Sequence, residues 1–78
     1  MSEIEKSEMV RRAIIDMATE AVEAQQLDYD DAAIGAMYAA FDCHRRSGLG
    51  EDAAIAVMRK IVDLMADAVA GQRVGGSA

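Results

Sequence analysis

A seven-residue phrase occurs twice in this chain of 78 residues. The first copy begins at Asp31 and reads DAAIGAM, and the second begins at Asp52 and reads DAAIAVM. Each copy places an acid before small helix-forming residues and a first bulky anchor, which is the pattern of a helix start. The offset between the copies equals one helix plus one tight turn. The repeat therefore predicts two consecutive helices, and a duplicated helical hairpin is a second interpretation of it.

Local start and stop signals divide the chain into three helical segments. SEIE near the beginning matches a capping box and opens a helix over about 3–25. After the polar break QQLDYDD, a second helix covers about 29–46, with cations in its last turn and Ser-Gly beyond it. The second copy of the phrase opens a third helix over about 51–70. Proline is absent, so no proline interrupts these helices.

The fold class that follows is all-α, a compact bundle of three helices. We predict one domain over 1–71 and a flexible tail over 72–78, because the closing QRVGGSA has the composition of a frayed end. A domain of this size buries only roughly 60–65% of the surface of its unfolded chain. One cysteine, Cys43, and one histidine, His44, exclude a disulfide within the chain and a zinc site of Cys and His ligands. We therefore expect association, most simply as a homodimer.

The apolar arcs of the helices are wider than a small bundle needs. Helix 1 carries a stripe with helical spacing that we predict to face the core, formed by Val10, Ile14, Met17, Ala21 and Ala24, and a second strip, Ile15 and Val22, beside it. In helix 3 the apolar residues cover roughly 200° of the helical wheel, whereas a bundle helix needs an arc of about 100–140°. The excess predicts a surface that is covered by a second copy or by another protein.

Helix 2 has one bulky face and one small face. The bulky face is formed by Ile34, Met37, Tyr38 and Phe41. Small residues on the other face permit a close helix–helix contact, and Gly35 favours this hypothesis because glycine costs up to about 1 kcal/mol in a helix interior. Solvent-exposed alanine is the alternative interpretation. The predicted partner or dimer interface consists of Ala32, Gly35, Ala36, Ala39, Cys43, Ile55, Met58, Val62 and Met65.

Acidic residues outnumber basic ones by fourteen to eight, which gives a net charge of −6. This balance disfavours general binding of phosphates and suits a partner protein with a basic surface, although it also serves solubility. The acids predicted to face such a partner are Asp28, Asp30, Asp31, Asp42, Glu51 and Asp52.

No pattern in the chain predicts catalysis, a metal or a cofactor. Asp42, Cys43 and His44 are consecutive, and consecutive residues of a helix point about 100° apart, so they do not form a nucleophile with its base. An EF-hand loop starting at Asp28 fails because alanines occupy the positions that need an acid, a glycine and a glutamate. We therefore expect a non-enzymatic protein without a cofactor.

Three hypotheses for the function remain open. The first is a homodimeric protein–protein interaction module that adapts or inhibits a partner protein, with nucleic-acid-binding proteins among the candidates; in size and charge the chain is comparable to acidic proteins of phages and mobile elements, some of which block CRISPR effectors. The second is a dimeric helix-turn-helix regulator, since RRSGLGEDAAI contains a short turn with glycine, although Glu51 and Asp52 would repel phosphates. The third is a structural subunit of a helical oligomer.

The segment MSEIEKSEM is charged where a signal peptide needs an apolar region. No uncharged apolar run approaches the roughly 20 residues of a membrane span. We therefore expect a cytoplasmic protein that is not embedded in a membrane.

Overall fold

The computed structural model describes the backbone of residues 2–76 and the side chains of residues 2–73. Within that range the chain is all-helical, with helix α1 at Glu3–Glu23, α2 at Tyr29–Arg46 and α3 at Glu51–Gly76. No strand occurs in the described residues. The all-α class and the three helices predicted from the sequence are confirmed.

The helix ends differ from the prediction in two places. Helix α1 ends at Glu23, two residues early, whereas α2 has the predicted bounds. Helix α3 continues to Gly76 and therefore extends into the segment that was predicted to be a tail. Gly71 does not stop it, because one interior glycine costs only about 1 kcal/mol relative to alanine. The flexibility of 72–78 stays a prediction.

Side-chain caps begin the first two helices. Ser2 is the N-cap of α1, and its Oγ accepts a hydrogen bond of 3.1 Å from the backbone N–H of Glu5. At α2 the backbone N–H of Asp31 donates to Oδ1 of Asp28 at 2.9 Å, and the N–H of Asp28 donates to Oδ2 of Asp31 at 3.1 Å. This reciprocal pair satisfies two backbone donors at the positive end of the helix dipole.

The first two helices end in the same hydrogen-bonding motif. After α1, the N–H of Gln26 donates to the carbonyl of Ala21 and the N–H of Gln25 donates to that of Val22. After α2, Leu49 and Gly48 make the equivalent bonds. Both are Schellman motifs, which need one residue in the left-handed region. That residue is Gly48 with φ 107° in one case and Gln25 with φ 58° in the other.

Substituting Gln25→Gly is expected to stabilise the protein by about 0.5–1 kcal/mol, because glycine adopts a positive φ without the steric cost that glutamine has. The midpoint of thermal unfolding, followed by circular dichroism, should rise by roughly 2–6 °C. Gln26→Gly is the matched control, since Gln26 does not have a positive φ. Equal midpoints for the two variants would contradict the strain at Gln25.

The residues divide into two compact units, Met1–Tyr38 and Ala39–Ala78. In the first unit burial is concentrated beside the α1–α2 turn. Ala18 is the buried residue. The half-buried residues are Thr19, Ala21, Val22, Ala32 and Ala36. A hydrogen bond of 3.4 Å from the Tyr29 hydroxyl to Oγ1 of Thr19 joins the two helices at this end.

In the second unit burial is concentrated beside the α2–α3 turn. Ala54 is fully buried, with an exposed fraction of 0%. The half-buried residues of this unit are Ala40, Phe41, His44, Leu49, Val57 and Met58. The interpretation of 1–71 as a single domain stays a prediction.

The predicted core stripe of helix 1 is wrong over most of its length. Val10, Ile14, Met17 and Ala24 are exposed, and Ala21 is half-buried. The buried position is Ala18, on an adjacent line of the helix. The spacing of apolar residues shows which face of a helix is apolar. It does not show along how much of its length that face is covered by a neighbouring helix.

The ion pairs of α1 differ from those that spacing predicts. Spacing of four residues predicts that Arg12 pairs with Glu8 and with Asp16, but these pairs are not among those formed in the described residues. Instead Arg11 pairs with Glu8 at 3.3 Å and Lys6 with Glu3 at 3.6 Å, both on exposed surface where an ion pair contributes little. Among the described residues, none of the helices has an apolar stretch long enough to cross a bilayer.

Candidate interaction surfaces

Most large apolar side chains of the described residues are exposed, with exposed fractions from 37% at Leu27 to 78% at Ile4. Among residues 2–73 only Ala18 and Ala54 are buried, and neither has a large side chain. Large apolar side chains are therefore left facing water.

One exposed apolar surface lies on α1. Every residue from 3 to 17 is exposed. The α1 strip is formed by Ile4, Val10, Ile14, Ile15 and Met17. Ile14 is 45% exposed even though it lies within about 40° of Ala18 on the helical wheel. The strip thus continues the face that α1 buries beside the turn.

A second exposed apolar surface lies on α3. Every residue from 59 to 73 is exposed. The α3 strip is formed by Ile61, Val62, Leu64, Met65 and Val69. Met58, Ile61 and Met65 follow Ala54 at intervals of four, three and four residues, so the strip also continues a buried face. Val62, Met65 and Val69, with Ala66, Ala70 and Arg73, line a shallow open depression.

Part of the small face of α2 is half-buried and the rest is exposed. Ala32 and Ala36 are half-buried, whereas Gly35, Ala39 and Cys43 are exposed and follow one another at intervals of four. A Cβ added to Gly35 would meet no atom within 4 Å. No contact within the chain therefore requires glycine at this position.

The bulky face of α2 is mostly exposed as well. Phe41 is half-buried, but Ile34, Met37 and Tyr38 are exposed, Tyr38 at 71%. The predicted acids of this helix, Asp30, Asp31 and Asp42, are exposed too, as are Asp28 before it and Glu51 and Asp52 at the start of α3. Asp28 and Asp31 use part of their accepting capacity in the cap of α2.

Of the predicted interface residues, Ala32, Ala36 and Met58 are half-buried within the chain. The others are exposed, namely Gly35, Ala39, Cys43, Ile55, Val62 and Met65. The predicted interface does not include the α1 strip, because its regular spacing also fits a core face. The number of apolar stripes, which is larger than one small bundle needs, is the signal in the sequence that points to this strip.

The three residues that suggest chemistry lie next to one another near the end of α2. Asp42 and Cys43 are exposed and His44 is half-buried, all on one regular helix. Ser47 Oγ donates a hydrogen bond of 2.7 Å to the carbonyl of His44, which satisfies one acceptor at the end of α2. In the part of the chain that the structure describes, no group of three or more His, Cys, Asp or Glu side chains converges to hold a metal ion.

Comparison with known proteins gives no relative: no family model, no curated protein and no solved structure matches the chain.

Proposed function

We propose that this chain is a small, cytoplasmic, non-enzymatic protein–protein interaction module that works as a homodimer and binds a partner protein with a basic surface. The observation that carries the proposal is the exposure of large apolar side chains. Among the described residues, seventeen large apolar side chains on the helices and the α1–α2 turn are 37–78% exposed. Contiguous exposed apolar surface is typical of a protein that binds another.

The chemistry of the partner follows from the bulky face of α2. Ile34 and Tyr38 are exposed on the same side of the helix as Asp31 and Asp42, within about 80° of one another on the helical wheel. An apolar centre with acids beside it complements a surface that carries lysine or arginine around an apolar patch. The net charge of −6 attracts such a partner from a distance. Adaptation or inhibition of a nucleic-acid-binding protein is the role that this complementarity favours.

Affinity capture from the native host, followed by mass spectrometry and binding measurements, tests the partner. We expect a basic protein whose dissociation constant rises at least tenfold between about 0.05 M and 0.5 M salt, because exposed charges are screened. The variant with Asp31→Asn and Asp42→Asn should bind more weakly and lose part of this salt dependence. Glu3→Gln with Glu5→Gln is the matched control, with the same change in charge on α1.

Other outcomes favour the other hypotheses. Salt-insensitive binding would assign recognition to the apolar surfaces alone. Recovery of only the chain itself would favour a structural oligomer. A robust mobility shift of random duplex DNA at low salt would favour a helix-turn-helix regulator, against the repulsion expected from Glu51 and Asp52.

The exposed small residues of α2 belong to the proposed dimer contact, and two substitutions test them. Gly35→Leu and Ala39→Leu should each weaken self-association at least about tenfold, because added methylenes overfill a close helix–helix contact. Helix content should be retained, since a Cβ added at Gly35 meets no atom within 4 Å beyond its chain neighbours and the nearby backbone of α2. Sedimentation equilibrium measures the effect. Unchanged self-association in both variants would remove α2 from the interface.

A further inference from the structure

We propose that the turn between α1 and α2 is a hinge. In the homodimer the turn straightens, α1 and α2 of each chain join into one continuous helix, and this helix pairs antiparallel with the same helix of the second copy. The hairpin and the joined helix are then the free and the dimeric form of the chain. This inference rests on the proposed self-association and identifies its contacts.

The residues of this turn are compatible with a continuous helix. Residues 24–27 read AQQL, all with high helix propensity, and neither glycine nor proline occurs in 2–34. Gln25 has a φ of 58°, which is unfavourable for a residue with a side chain and which a helix would relieve. The α2–α3 turn contains Gly48 and Gly50, and Gly48 adopts its positive φ without that cost. The α1–α2 turn therefore straightens at a lower cost than the α2–α3 turn.

The packed residues of the hairpin share one register across the turn. Counted as one helix, seven positions alternate in steps of three and four residues, the heptad spacing of a helix pair. This seam consists of Ile15, Ala18, Val22, Gln25, Tyr29, Ala32 and Ala36. In the hairpin, Ala18 is buried and three others are half-buried, namely Val22, Ala32 and Ala36. A turn resets the phase between two helices, so the hairpin does not require this common register, whereas a continuous helix does.

A second copy of the chain fits this seam. Two antiparallel helices with Gln25 of each on the two-fold axis place Ala18 of one chain opposite Ala32 of the second copy. The positions that the hairpin covers within one chain are then covered between two chains. The Gln25 side chains lie opposite each other, and each amide both donates and accepts hydrogen bonds. A polar residue at one position of an apolar seam specifies the register and the number of helices.

The joined form covers apolar surface that the hairpin leaves open. Ile15 and Tyr29 lie on the seam, yet each is 51% exposed in the hairpin. The bulky face of α2, with Ile34 and Tyr38, lies about 160° from the seam on the helical wheel. The second copy therefore leaves this face free for the partner protein.

A pair of spin labels measures the straightening. Ala13→Cys and Ile34→Cys, at exposed positions away from the seam, are labelled in a Cys43→Ser chain that is refolded with an excess of unlabelled Cys43→Ser chain. The two positions are 21 residues apart, which is about 32 Å in a continuous helix. We expect this distance at concentrations at which the chain is a dimer. The distance in the monomer should be shorter, because the turn lies between the labels.

Substitutions at Gln25 should shift self-association in both directions. Gln25→Leu should strengthen it at least about tenfold, because leucine is apolar in the seam and disfavours a positive φ. Gln25→Gly should weaken it at least about tenfold, because glycine suits the turn and disfavours a helix, although it still raises the thermal midpoint of the monomer. Gln26→Leu, outside the seam, is the matched control and should change the dissociation constant less than about twofold. Sedimentation equilibrium measures all three, and equal constants for the two Gln25 variants would contradict the hinge.

Failure of the hinge differs from failure of self-association. A dimer in which the labelled chain keeps the distance of the monomer overturns the hinge, while self-association stands. A wild-type chain that is monomeric up to millimolar concentration overturns both.

Discussion

Replacing Ala54 with aspartate is expected to lower the free energy of unfolding by about 3 kcal/mol or more, the largest effect of any single substitution that we predict. Ala54 is fully buried beside the α2–α3 turn, so a carboxylate there loses its hydration and gains no partner. A chain of 78 residues has a total stability of about 4–12 kcal/mol. The substitution therefore removes a large share of it.

The control for this variant is Ala56→Asp. Ala56 lies two residues further along α3, is exposed, and points to nearly the opposite side of the helix. Both positions are near the helix N-terminus, where an acid is favoured, so the helix dipole affects both variants similarly. Urea unfolding followed by circular dichroism measures the difference. Equal losses in the two variants would show that Ala54 does not lie in a packed contact.

The midpoint of thermal unfolding is expected to rise by about 12 °C when the protein concentration is increased a thousandfold. For a dimer that unfolds to two chains, this increase stabilises the native state by about 4 kcal/mol. The unfolding entropy of two chains of this length is about 0.33 kcal/mol/K, which converts that free energy into the shift. Scanning calorimetry at micromolar to millimolar concentrations covers the range.

The dependence of the midpoint on protein concentration should disappear when self-association is prevented. The variant with both Gly35→Leu and Ala39→Leu should have a midpoint that is lower and nearly independent of concentration, since its self-association is weakened at both positions. A wild-type midpoint that stays within about 2 °C over the whole range would mean that the chain unfolds as a monomer. The exposed strips would then be a surface for a different protein.

The sequence predicts the helices well because their ends have local chemical signals. Ser2 with Glu5 predicts the start of α1, the acids on both sides of Tyr29 predict the start of α2, and Gly48 marks its end. The end of α1 was predicted less well. Gln25 has the left-handed conformation that glycine usually has just after a helix end. Because this residue is a glutamine and not a glycine, the sequence does not indicate that α1 ends here.

Burial was much harder to predict than helix position. The two copies of the repeated phrase place Ala33 and Ala54 at the same point, yet Ala33 is exposed and Ala54 is fully buried. The half-buried residues of the first copy are Ala32 and Ala36, and those of the second are Val57 and Met58. Neighbouring helices determine which side is covered, and spacing within one helix does not contain that information. The repeated sequence therefore marks the start of a helix in both places. Because the two copies differ in which residues they bury, the repeat gives little support to a duplicated hairpin.

The packed residues lie beside the two turns, so the rest of α1 and α3 is open to proteases in proportion to the time that it spends frayed. If the proposed self-association covers these segments, a dissociated chain is cleaved faster than an associated one. The rate of degradation would then fall as the amount of this protein rises.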